Sequence, residues 1–121
     1  MKIDIFSYTL IAVGGFFGAV LRYLIDTQIP TLAGTLAANF MGCILMGIFM
    51  YESIYLGRFG RQTRIFCSTG LIGAFTTFSA LSVQSFQAGP VIGMANLLAN
   101  ILLGLAGVLV GRHLISYQRG I

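Results

Sequence analysis

Charge is what this sequence has least of. Only 8% of its 121 residues are Asp, Glu, Lys or Arg, against about 25% in an ordinary soluble domain. With 57% of the residues hydrophobic, that shortage excludes a soluble globular domain and points to an integral membrane protein. Acid is scarcest of all. Asp4, Asp26 and Glu52 are the only carboxylates, and each lies near the end of an apolar run. A proton-coupled exporter needs a titratable group at membrane depth, and no run carries one at its centre. The one histidine, His113, sits among basic residues at a span end, where it reads as solvated or interfacial. Without an embedded acid, base or activated nucleophile, an intramembrane enzyme is not expected. Cys43 and Cys67 have neither metal nor redox spacing, and they read as small packing residues. The net charge of +4 comes from thinly spread basic residues at helix ends, the pattern of topology signals rather than of a nucleic-acid surface. Lys2 precedes an apolar run that has no small-residue cleavage site and continues into glycine-rich sequence, so no signal peptide is expected.

A membrane span takes roughly 20 residues. Four of them, over about 5–25, 32–51, 65–86 and 91–114, use most of the chain. The expected fold is therefore all-α: residues 1–121 form a single four-helix transmembrane domain with short loops. Four spans put both termini on one side, together with Lys2, Arg58, Arg61, Arg64, Arg112 and Arg119, leaving Arg22 alone on the other. The positive-inside bias then predicts cytoplasmic termini.

The third span departs from an ordinary membrane helix. Residues 68–82 hold Gly70 and Gly73, then the β-branched pair Thr76 and Thr77, then Phe78, with Ser68, Thr69, Ser79 and Ser82 around them. Glycine and adjacent threonines weaken a helix, and hydroxyls at membrane depth must find partners. We expect a break near Gly73–Thr77, with free carbonyls and hydroxyls facing an ion path. Elsewhere, Thr35 and Asn39 share one face of the second span, while Asn96, Asn100 and Gly104 recur every four residues on the fourth. Small residues in the first span (Gly14, Gly15, Gly18 and Ala19) let a neighbouring helix approach closely.

Asn39, Thr76, Thr77, Ser79, Ser82, Asn96 and Asn100 are thus neutral donors with no buried Lys or Arg among them. Such donors suit a small, strongly hydrogen-bonding anion, replacing part of its hydration shell without trapping it. Phe75, Phe78 and Phe86 could present ring edges, which carry partial positive charge, to the same path. Singly, each polar residue also suits interhelical packing. The residues alone reach a small polar-lined pore or a packed bundle.

The segments Gly14–Tyr23 (GGFFGAVLRY), Gly34–Asn39 (GTLAAN) and Gly70–Ser79 (GLIGAFTTFS) together resemble the Fluc (CrcB) family of fluoride channels, in the family's order and over nearly the whole chain. That resemblance implies passive export of cytoplasmic fluoride through an antiparallel, dual-topology dimer. It implies that Asn39 offers its amide and Phe78 a ring edge to fluoride, with Thr77 and Ser79 as hydroxyl neighbours, while Ser82, Asn96 and Asn100 join the path as the further neutral donors that the residues themselves supply. It also implies that the carbonyls of Gly73 and Thr76 from both subunits hold a structural sodium ion that is not transported, and that Arg22 anchors a vestibule. Two features depart from the family pattern. Leu81 stands where a second pore phenylalanine is common, and Asn96 and Asn100 where tyrosine and serine are frequent.

A dual-topology homodimer favours balanced basic residues, and six against one is not balanced. The expected partner in the lipid bilayer is therefore a homologous subunit of opposite orientation, with a homodimer as the other possibility. The rival classes are a small four-helix multidrug-type exporter and a non-conducting structural membrane protein.

Overall fold

The computed structural model describes residues 4–120, so Lys2 lies outside the described residues. Helix α1 is Ile5–Gln28 and α2 is Leu32–Ile54. The third span, Arg61–Gln87, is divided: α3 covers residues 61–75 and α4 is Phe78–Gln87. Helix α5 is Pro90–Gln118. Four stretches are thus long and apolar enough to cross a membrane, and the described residues contain no strand. Each helix runs past the expected span ends because polar residues such as Gln28, Ser53 and Gln118 continue its last turn.

Local signals account for the helix ends. Asp4 caps α1 by accepting from the Ser7 backbone N–H at 3.0 Å and from the Ser7 hydroxyl at 2.6 Å. Bonding to the ionised form holds the Asp4 carboxyl below its usual value, first through the hydroxyl and then through the backbone N–H. The cap is therefore complete at neutral pH and is lost as pH falls through that lowered value. At the other end of the bundle Gly89, at φ +87°, makes the turn that places Pro90 in the first turn of α5.

The helices form two parallel pairs. Helix α1 packs along α3, and α2 packs along α5. Both contacts depend on missing side chains. A Cβ on Gly14 would come within 3.2 Å of the Gly70 Cα, and one on Gly18 would strike the Leu71 carbonyl oxygen. This is the close backbone approach that small residues permit inside a bilayer, where lipid removes the hydrophobic drive for helices to associate.

Within α3, residues Ile65–Ile72 are π-helical, with the Gly73 N–H reaching the Ser68 carbonyl five residues back. Sequence reasoning placed the break near Gly73–Thr77 and did not anticipate a π stretch before it. A π stretch has no residue signature of its own, and this one lies where Gly70 is drawn against the α1 glycines.

The decisive feature is that the third span changes neighbours midway. Helix α3 lies on α1, whereas α4 lies on α5. At the switch Thr76 (φ −78°, ψ 156°) and Thr77 (φ −146°, ψ 124°) are extended, and the helix stops. The basic end of the bundle is tied separately. Glu52 accepts from Arg58 at 3.2 Å and from Arg119 at 2.8 Å, while Arg112 lies over the Tyr51 and Tyr55 rings, 5.9 and 6.0 Å from their centres.

Gly18→Ala should destabilise the chain by about 1–3 kcal/mol, because the added methyl meets rigid backbone. Gly104→Ala, whose new methyl would meet only the Cys43 Sγ at 3.4 Å, should leave stability nearly unchanged. Chemical unfolding in detergent compares the two.

Candidate ion pathway at the helix break

The break is held from outside by one side chain. Asn39, half-buried on α2, accepts the Thr77 N–H on its Oδ1 at 2.8 Å and donates its Nδ2 to the Thr77 carbonyl at 3.1 Å. The primary amide thus mimics a backbone partner for a residue that has none, in a region where water cannot substitute. Its orientation is fixed by chemistry: a flipped amide would set donor against donor and acceptor against acceptor. The second Nδ2 hydrogen goes to the Asn100 Oδ1 at 3.0 Å. Both amide hydrogens of Asn39 are therefore engaged within the protein.

From Asn100 the polar chain continues. Its Nδ2 donates to the Asn96 carbonyl at 3.0 Å and to the Asn96 Oδ1 at 3.2 Å. The Asn96 Nδ2 in turn donates to the Ser85 hydroxyl at 2.9 Å. Asn96, Asn100, Thr77 and Ser85 are all buried. The chain begins at the break, crosses α2 and α5, and returns to α4 at Ser85. Ser85 is the member that sequence reasoning missed; its signal was its place one helical turn beyond Leu81, on the face toward α5.

The same bonds decide which carbonyls stay free. In an unbroken helix the Gly73 carbonyl would accept from Thr77, and the Thr76 carbonyl from Ala80. Here the Thr77 N–H is taken by Asn39, and the Ala80 N–H donates to the Thr77 hydroxyl at 3.1 Å. Among the described residues neither the Gly73 nor the Thr76 carbonyl accepts a hydrogen bond. Gly73 is exposed, and Thr76 is half-buried with its own hydroxyl donating to the Ile72 carbonyl at 3.2 Å.

Two grooves meet at Phe78. One, of about 290 Å³, is lined by Asn39, Thr76, Thr77, Phe78, Leu81 and Asn100, among others. The second, of about 480 Å³, runs from Phe78 past Ser82, Ser85 and Phe86 to Gly89 and Pro90. Phe78 and Phe86 are 77% and 89% exposed, so their rings stand clear of the single chain. Ser79 is exposed beside Phe78, and Ser82 donates to the Phe78 carbonyl at 2.9 Å. Leu81 is buried and turns only an aliphatic edge to the smaller groove. Phe75 is also buried, packed beneath Gly42 and away from both grooves. Arg22 lies elsewhere, half-buried toward the far end of α1, with no hydrogen bond or ion pair to another described residue.

Against known proteins, residues 9–112 match the model of a family described as CrcB-like protein, Camphor Resistance (CrcB). The chain is 51% identical to a protein named fluoride-specific ion channel FluC 1 from Methanospirillum hungatei, over 91% of this chain and 79% of the relative. Methanosarcina acetivorans supplies two relatives. Its fluoride-specific ion channel FluC 2 is 43% identical over 88% of this chain and 85% of its own. Its FluC 1 is 36% identical over 96% and 98%.

Asn39→Leu should leave the Thr77 N–H and carbonyl unpaired and cost about 2–4 kcal/mol of stability. In hydrogen exchange on the purified protein the Thr77 amide should become fast, while amides at the middle of α1 stay protected.

Proposed function

The chain belongs to the CrcB family of fluoride channels, ion channels rather than enzymes, and on that premise we propose that it conducts fluoride passively out of the cytoplasm. The observation that carries the reading is the wall at the helix break. Asn39, Thr77 and Asn100 line a narrow groove with the exposed ring of Phe78, and no acid or base lies at that depth. Neutral donors replace fluoride's hydration one contact at a time and then release it, whereas a fixed cation would hold it. Phe78 and Phe86 present partially positive ring edges along the way, and the hydroxyls of Thr77, Ser79 and Ser82 lie beside them. Fluoride at Asn39 displaces Asn100 as acceptor of one amide hydrogen, so the amide keeps its orientation throughout. With Leu81 in place of a second ring, this wall offers aliphatic surface at one contact.

A structural sodium ion fits the break. The Gly73 and Thr76 carbonyls are free of hydrogen bonds, they are neutral oxygen donors suited to a hard monovalent cation, and a second chain would double their number. No group of His, Cys, Asp or Glu among the described residues offers a competing metal site. The Gly73 and Thr76 carbonyls would hold such an ion, whose charge would offset their dipoles and tie the two subunits together. Gly73 and Thr76 supply its oxygens, and Asn39 and Thr77 keep those oxygens free.

The second subunit lies in the opposite orientation, in an antiparallel dimer. The basic residues Arg58, Arg61, Arg64, Arg112 and Arg119 gather at one end of the bundle, with Arg22 toward the other, which supports cytoplasmic termini and a single insertion direction for this chain. A homologous chain of opposite bias then completes the dimer, with a homodimer as the alternative. The occurrence of two FluC chains in Methanosarcina acetivorans is compatible with paired partners.

Reconstituted in liposomes, alone or with a homologous partner, the protein should pass fluoride-driven current in sodium and lose it when sodium is replaced. Fluoride flux absent in both arrangements would refute the channel reading, and equal flux without sodium would refute the sodium site. Phe78→Ala should lower the flux at least about tenfold, the loss of one good contact. Reporter fusions at the C-terminus should report a cytoplasmic location; equal populations on both sides would favour the homodimer.

A further inference from the structure

We propose that Asn100, on a helix that contributes no carbonyl to the break, is a positioning residue for the cation site, acting through Asn39. The proposal rests on the sodium reading above. The Thr77 N–H, which would cap the Gly73 carbonyl in an unbroken helix, is held instead by the Asn39 Oδ1 at 2.8 Å. That hold requires the amide to keep its oxygen toward the N–H. A primary amide on a two-torsion side chain can turn over, and its Nδ2 edge must be satisfied for it to stay. The Thr77 carbonyl takes one Nδ2 hydrogen at 3.1 Å, and Asn100 takes the other at 3.0 Å.

Asn100 is locked in turn. Both contacts of its own Nδ2 end on Asn96, so its Oδ1 is left facing Asn39. Asn96 donates to Ser85, which lies on α4. The circuit therefore closes on the same helix whose start it defines. Break the link at Asn100 and the Asn39 amide keeps only the Thr77 backbone to hold its orientation. The hold on the Thr77 N–H is then weaker, and with it the extended turn that leaves the Gly73 carbonyl open to a cation. Fluoride in the smaller groove can hold the same Nδ2 hydrogen, because it too is an acceptor. Either acceptor on that side of Asn39 keeps the Gly73 carbonyl available.

The test uses the purified full-length chain, alone or with its partner subunit. Thermal unfolding is followed as sodium replaces potassium at constant ionic strength, which gives a half-saturating sodium concentration. Asn100→Leu keeps the volume and removes the acceptor. Loss of one net hydrogen bond predicts a half-saturating concentration about three- to tenfold higher. Thr9→Ala, which removes only a hydroxyl bonded within α1 at 3.0 Å, should leave it unchanged. Fluoride at saturating concentration should restore part of the N100L loss. If N100L lowers the unfolding temperature in potassium but leaves the sodium half-saturation at the wild-type value, Asn100 is structural only and the proposal is overturned. If N100L does not give a monodisperse protein, Asn100→Ala, which removes the same acceptor with a smaller side chain, is read with the same two outcomes. A wild-type protein that passes fluoride yet shows no sodium-specific stabilisation overturns the sodium reading, and the positioning role falls with it.

Discussion

One amide group supports the middle of this molecule. A polypeptide crossing a bilayer has to satisfy each backbone N–H and carbonyl from within the protein. Two consecutive extended residues in the third span violate the helical solution to that requirement. Asn39 repairs the violation for Thr77 by pairing with its N–H and carbonyl together. The threonine side chains repair it locally, Thr77 by capping α4 and Thr76 by bonding back to Ile72. Everything else at the break follows from which groups those bonds consume and which they leave over.

The arrangement of helices explains why a break is needed there. Helix α3 is pressed onto the glycine face of α1, while α4 is pressed onto α5. A straight helix could not lie along both. Small residues make each contact close, and a buried polar chain makes the crossing specific. Interhelical hydrogen bonds in membranes average only about 0.6 kcal/mol, so this chain matters more for fixing one geometry than for overall stability. The wall of the proposed path is correspondingly built of groups whose positions are set by partners, with rings and hydroxyls exposed beside them.

Much of this was legible in the sequence because membrane chemistry leaves few alternatives. The scarcity of charge and the length of the apolar runs imposed four helices, and the Gly-Gly-Thr-Thr pattern marked where the third would fail. Asn39, Asn96 and Asn100 stood out as polar residues on shared faces. What the pattern lacked was partnership. That Asn39 would pair with the backbone of Thr77, and spend both amide hydrogens inside the protein, depends on where α2 passes the break. The π-helical turns of residues 65–72, which lie where Gly70 meets the α1 backbone, were equally hidden, since no residue pattern marks them. Ser85 looked like any serine in a helix until Asn96 was placed against it. Phe75 pointed the other way: it read as a candidate for the path and is instead buried core.

The change of neighbours in the third span also orders events in time. As the chain emerges, α3 can settle on α1 as soon as it is made, because its partner is already in the bilayer. Helix α4 meets α2, already in place, but packs more extensively on α5. Its main packing face, and the asparagine that bonds Asn39, arrive only with α5. The break therefore acquires its final geometry only once α5 has been made.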